Sequence, residues 1–135
     1  MREAGGLLAG IGVDLCAVSR MERAIARAGF MDRVYTEQER AALEQKGRGR
    51  AQSAAAMFAA KEAVAKALGT GMSGGVCFDQ IEVTHDALGA PGVRLHGAAQ
   101  ERLLALGGGR VLLSLSHEGD MAIAFAVIEA GGGRP

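Results

Sequence analysis

The chain has only two cysteines, Cys16 and Cys77, no excess of charge of either sign and no long apolar run. Each absence closes off a class of protein. One cysteine pair is too few for a disulfide framework or a zinc cluster, so both are expected to be buried, reduced thiols. With 15 basic and 15 acidic residues the formal net charge is zero. That balance removes the bulk electrostatic footprint of non-specific nucleic-acid binding, and any charged partner must be met by a local patch. No stretch approaches the roughly 18 apolar residues of a membrane-spanning helix, so no membrane partner is expected. The first residues carry Arg2 and Glu3 and an apolar stretch broken by Gly10 and Gly12, which is not the layout of a signal peptide. A cytoplasmic location is expected.

What is present suits one domain: 135 residues, 49% of them hydrophobic, enough for a core without disulfides or a structural metal. A single domain over 1–135 is expected, with its core over about 6–129 and a flexible glycine-rich tail over 130–135. Leu7 to Val13 reads as a buried strand whose glycines let another backbone approach, with Asp14 at its end. Val18 to Ala28 reads as a helix stopped by Gly29. Thr36-Glu37-Gln38-Glu39 forms a capping box for a second helix reaching about Gln45. Ala51 to Leu68 is almost entirely strong helix formers and ends at Gly69. Strands follow at Phe78–Thr84 and Val93–Leu95, then a short helix over 97–106, then strands at Val111–Ser116 and Met121–Ile128 joined by residues 117–120. Helices first and strands later predict an α+β fold: a largely antiparallel sheet packed with one long and several short helices.

The chemistry concentrates in the long helix. Glu62 and Lys66 lie one turn apart on one face. An exposed Glu-x-x-x-Lys pair is ordinarily a minor surface ion pair, but this helix has few other polar residues with which to face water. Its ions are therefore expected to look into a cleft. A carboxylate suits a hard divalent cation and an ammonium suits phosphate, and Asp14 is the natural second carboxylate. Gly69-Thr70-Gly71 can offer backbone N–H groups to a phosphate, although a helix C-terminus opposes an anion and a plain helix stop is the commoner use. His117, in Ser114-Leu115-Ser116-His117, sits where a strand gives way to a turn. His85 and His96 read as structural. Arg20, Arg23 and Arg27 recur at helical spacing and share a face.

Gly10-Ile11-Gly12-Val13-Asp14-Leu15, then Phe58-Ala59-Ala60-Lys61-Glu62-Ala63 with Lys66 and Gly69-Thr70-Gly71, then Ser114-Leu115-Ser116-His117 resemble the holo-acyl-carrier-protein synthases, the small bacterial-type 4′-phosphopantetheinyl transferases. The resemblance runs from about Gly10 to Glu129. It implies transfer of 4′-phosphopantetheine from coenzyme A to a serine of apo-acyl carrier protein, with adenosine 3′,5′-bisphosphate leaving. Asp14 and Glu62 would hold Mg2+, and Lys66 would offset charge on the coenzyme pyrophosphate. Catalysis of this kind is mainly positioning and charge stabilisation. Glu62 would also help remove the serine proton. Lys66, Gly69, Thr70, Gly71 and His117 would contact the coenzyme, and Arg20, Arg23 and Arg27 would dock the acidic carrier. A homotrimer with sites between subunits is implied, and fatty-acid synthesis is the default pathway. Met57 departs from the family, which often has Arg there; Lys46, Arg48 or Arg50 could supply the missing phosphate contact. Two rival readings share these residues: a coenzyme-binding module without activity, and a metal-dependent phosphohydrolase.

Overall fold

The computed structural model describes residues 6–131. Its organising element is the strand β5, Met121–Ala130, in which Ala122, Ala124, Ala126 and Ile128 are buried on one face. β5 lies between β1, Leu8–Ala17, and β4, Gly108–Glu118, both antiparallel to it. The small residues of β5 make room for α4, Arg50–Leu68, which crosses the inner face of the sheet against β1 and β5. A helix that is apolar nearly all round belongs inside a protein. Of the 19 residues of α4 only Lys66 is exposed.

Shorter helices surround it: α1 over Val18–Ile25, α2 over Phe30–Val34 and α3 over Glu37–Glu44. The expected capping box is formed, with Thr36 Oγ1 accepting from the Glu39 amide and Glu39 Oε1 accepting from the Thr36 amide. Tyr35 fixes this layer to α4 by donating its hydroxyl to the Ala54 carbonyl at 2.7 Å. A separate hairpin pairs β2, Ile81–His85, with β3, Pro91–Leu95, and α5, Gly97–Ala105, leads back to β4. The architecture is the α+β, antiparallel arrangement that the sequence predicts.

Several boundaries differ, each for a local reason. β1 continues past Asp14, because Leu15, Cys16 and Ala17 pair with Ile123, Ala122 and Met121. Asp14 is thus inside the strand, opposite Ala124, and not at its end. α1 stops at Ile25, and Gly29, at φ 84°, opens the unforeseen α2. His117 and Glu118 extend β4, so only Gly119 and Asp120 make the turn. The first two residues of the expected flexible tail are tied down, since Ala130 donates to the Leu7 carbonyl and Gly131 to that of Gly107. The rest of that tail, 132–135, and residues 1–5 lie outside the described residues. Cys16 is buried as expected, whereas Cys77, ahead of a 3-10 turn over Phe78–Gln80, is exposed; both are free thiols.

Candidate active site

Asp14 reaches the site because residues alternate across a strand: Gly10, Gly12 and Asp14 share the face of β1 that meets α4. Glu62 and Lys66 come from α4, and its stop at Gly69, in the left-handed region at φ 84°, places Lys66 in the last turn. Lys66 Nζ donates to Asp14 Oδ1 at 2.9 Å and to the Val13 carbonyl at 3.0 Å. Asp14's hydrogen bond and then its charge hold the Lys66 ammonium above its ordinary range. Glu62 is partly buried, and burial first, then the neighbouring Asp14 charge, push its carboxyl above the usual glutamate range against the pull of Lys66. The Asp14–Lys66 contact and the one-turn spacing of Glu62 and Lys66 on α4 bring two carboxylates and one ammonium to one region. Asp14 and Lys66 meet across the seam between β1 and α4, with the Lys66 side chain exposed to solvent.

Other predicted residues stand differently. Gly69 N–H donates to the Lys66 carbonyl and Gly71 N–H to that of Ala65, so two amides of the glycine loop close the helix and are not free to cradle an anion. Thr70 gives its hydroxyl proton to the Gly71 carbonyl at 2.8 Å, leaving its oxygen lone pairs for another donor. His117 is not beside the cluster. It lines a pocket with Gln52, Ser53, Ala56, Leu115 and Ser116, over the opening turns of α4. At about 1.5 Å rise per residue, those turns lie on the order of 15 Å along the helix from Glu62. The His117 pocket and the carboxylates therefore lie over different stretches of one helix.

Met57 is buried, and shares a pocket with Lys46, Ser53, Ala56, His85 and Leu115. Of the three cations suggested to replace an arginine there, Lys46 alone lines that pocket. Arg48 is exposed in a 3-10 turn over Gly47–Gly49, and Arg50 opens α4 with a buried Nε that has no hydrogen-bond partner among the described residues. His85 and Arg94, on the β2–β3 hairpin, line an adjoining pocket that also contains Met57. Sequence reasoning reads His85 as structural and passes over Arg94, because the pairing of two strands is needed to bring them to residue 57.

Arg20, Arg23 and Arg27 do converge, although Arg27 lies beyond the end of α1. They rim a cavity of about 380 Å³ whose apolar lining includes Met21, Ala24, Phe30 and Phe58. Arg27 lies over the Phe30 ring at 5.6 Å, and Phe58 stacks on Phe78 at 5.1 Å. Two of its lining residues lead to the carboxylates: Cys16 shares the face of β1 with Asp14, and Phe58 lies one turn of α4 before Glu62. Burial raises the Cys16 thiol in its wall, Arg20 opposes that rise, and Asp14, Asp120 and Glu62 add to it. Lys61 was also missed. It is fully buried, and donates to Glu39 Oε1 at 2.7 Å, to the Ile81 carbonyl at 2.7 Å and to the Phe78 carbonyl at 3.0 Å.

Comparison with known proteins gives a consistent picture. A profile of the 4′-phosphopantetheinyl transferase superfamily matches residues 10–126. The holo-[acyl-carrier-protein] synthase of Halorhodospira halophila is 46% identical over 127 residues, covering 93% of this chain and 100% of the relative. The crystal structure of the Neisseria meningitidis holo-[acyl-carrier-protein] synthase superposes with a TM-score of 0.82 at 40% identity, covering 90% of this chain and 98% of that one. A Bacillus anthracis synthase determined in complex with CoA (3′,5′-ADP) gives 0.79 at 35% identity, covering 93% and 100%.

Proposed function

Because this chain belongs to the 4′-phosphopantetheinyl transferase superfamily and is an enzyme of the holo-acyl-carrier-protein synthase type, we propose that it moves phosphopantetheine from coenzyme A to a carrier serine with Mg2+ held between Asp14, Glu62 and the coenzyme pyrophosphate. The observation that carries this reading is the meeting of Asp14, Glu62 and Lys66 beside an arginine-rimmed apolar cavity. The donor set fits magnesium, which takes one or two protein carboxylates and leaves its other positions to water and substrate phosphate. Among the described residues no group of three or more His, Cys, Asp or Glu could hold a metal alone. Metal binding is accordingly expected to depend on the coenzyme. When bound, the ion supplies charge neutralisation on the pyrophosphate oxygens.

The protein's own groups do the rest. Lys66, exposed at the end of its stem, presents an ammonium to the pyrophosphate. Glu62, whose carboxylate is made more basic by burial and by Asp14, accepts the serine proton. The serine oxygen bonds to the β-phosphorus as the bond to the leaving adenosine 3′,5′-bisphosphate breaks. Arg20, Arg23 and Arg27 offer three positive charges around an apolar floor, which suits an acidic carrier helix with an apolar face. Thr70 stands ready for the nucleotide.

The separation of His117 from the carboxylates supports a site completed by a second copy of the chain. The outer face of the sheet supports self-association, the homotrimer being what the family resemblance implies: Ile11, Val13, Leu15, Leu112 and Phe125 are exposed there, in rows that also contain Ile123 and Val127. Contiguous apolar surface of this kind marks an association site. Sedimentation equilibrium checks it, and a monomer at micromolar concentration would refute the shared site. A role in fatty-acid synthesis in the cytoplasm remains the default assignment.

The transfer itself is tested by incubating the chain with coenzyme A, Mg2+ and an apo-carrier and weighing the carrier. A phosphopantetheine-sized gain that vanishes with chelator is expected. Coenzyme hydrolysis with an unmodified carrier would establish the phosphohydrolase reading, and no reaction the binding module.

A further inference from the structure

We propose that Gly12 is a positioning residue for the carboxylate pair, its missing side chain setting how far Asp14 stands from Glu62 and Lys66. The inference rests on the metal reading above and adds a residue that touches neither substrate nor metal. A Cβ on Gly12 would overlap the Ala63 carbonyl oxygen and come within 2.9 Å of the Ala67 nitrogen; one on Gly10 would overlap the Ala67 carbonyl oxygen. In each case the obstacle is helix backbone, so no change of rotamer relieves it. Either β1 or α4 must move.

The movement would fall on the reactive groups. Ala63 follows Glu62 and Ala67 follows Lys66 in the chain, while Asp14 is the next residue after Gly12 on the same face of β1. The gap that Gly12 closes is therefore the gap that Lys66 spans to reach Asp14 at 2.9 Å and the Val13 carbonyl at 3.0 Å. α4 cannot simply slide away, because Lys61 ties its other side to Glu39 and to the Phe78 and Ile81 carbonyls, and Tyr35 holds Ala54. Strain from a new methyl group is thus concentrated at the seam. Were Gly12 needed only for packing, its substitution would lower stability and leave the ion affinity of the folded protein unchanged.

The test measures Mn2+ binding by electron paramagnetic resonance in the presence of coenzyme A and without carrier, so no turnover enters. Gly12→Ala is expected to raise the Mn2+ half-saturation at least tenfold in folded protein, while the carrier KM, set by the arginine rim, changes less than twofold. Lengthening the carboxylate should restore contact across the widened seam: adding Asp14→Glu to Gly12→Ala recovers affinity, whereas Asp14→Glu alone weakens it. Should Gly12→Ala fail to fold, Ala63→Ser enlarges the buried helix residue whose carbonyl Gly12 packs against and is expected to raise half-saturation about threefold. Unchanged Mn2+ affinity in the folded variants, or no rescue by Asp14→Glu, overturns the inference while leaving the proposed transfer intact. A parent chain that binds no Mn2+ with coenzyme A takes down the metal reading itself.

Discussion

Lys61 and Lys66 stand five positions apart on α4, and each meets a carboxylate at ion-pair distance, 2.7 Å to Glu39 and 2.9 Å to Asp14. The first pair is sealed, with both side chains 0% exposed; in the second, Lys66 is 53% exposed and Asp14 22%. An ammonium has three N–H donors. All three of Lys61 have protein acceptors, whereas Lys66 has two among the described residues, leaving one for a ligand. Burial pushes the Lys61 ammonium below its ordinary range with Glu39 pulling it back, while Asp14 pushes Lys66 above. One lysine is therefore saturated by the fold and the other is open to substrate, a difference made by surroundings and not by residue type.

The widest break in that comparison comes from methionine at each position. Lys61→Met leaves Glu39 buried without its counter-charge and two carbonyls without their donor, and is expected to cost about 3–5 kcal/mol of stability by denaturant unfolding. Lys66→Met should leave the denaturation midpoint where it is and lower kcat/KM for transfer by roughly a hundredfold, the scale of losing one charge-stabilising group. If both variants unfold alike, or Lys61→Met is as stable as its parent, the division between them fails.

A smaller effect extends the comparison to charges that meet a partner protein. Replacing Arg20 and Arg27 by Ala should raise the carrier KM about tenfold at low salt, less at high salt, and leave that for coenzyme A within twofold. Equal increases for both substrates would place these arginines outside the docking face.

The smallest expected effect concerns pH, where two carboxyls have opposite signs. Glu62 is raised by burial and by Asp14, so the stability it contributes is present below the ordinary glutamate value and is lost as pH rises through the raised one. Glu62→Gln should therefore melt slightly above the parent at neutral pH while losing transfer activity. Glu82 is also pushed up by burial, but hydrogen bonds from His96 and Thr36 and the charge of Arg94 outweigh that and leave it lowered. Its contribution is present above the ordinary glutamate value and lost on acidification. Melting temperature against pH for Glu62→Gln and Glu82→Gln reads both signs; curves parallel to the parent's would refute them.

How far the sequence carried depended on the range of the interaction involved. α4 was legible because its alanine-rich run and the stop at Gly69 are local signals, as is the Thr36–Glu39 capping box. The Asp14, Glu62 and Lys66 cluster was legible through helical spacing and the family resemblance together. Lys61 was not, because its acceptors lie 17 to 22 positions away. The extension of β1 past Asp14 escaped notice because only the ladder to β5 fixes it. α2 is five residues long and directly follows a glycine that sequence logic uses as a stop. His85 and Arg94 reach the Met57 pocket only through the hairpin.

The outer face of the three-stranded sheet has a consequence for the life of the chain before any catalysis. Val13 and Phe125 sit side by side in water until another surface covers them. If the cover is more of the same chain, folding and assembly share one equilibrium, and the melting temperature rises with protein concentration. A newly made copy is then at its most vulnerable while its neighbours are few. Dilution would both expose adhesive strands and separate His117 from the carboxylates of the adjoining copy, so loss of solubility and loss of activity would have a common origin.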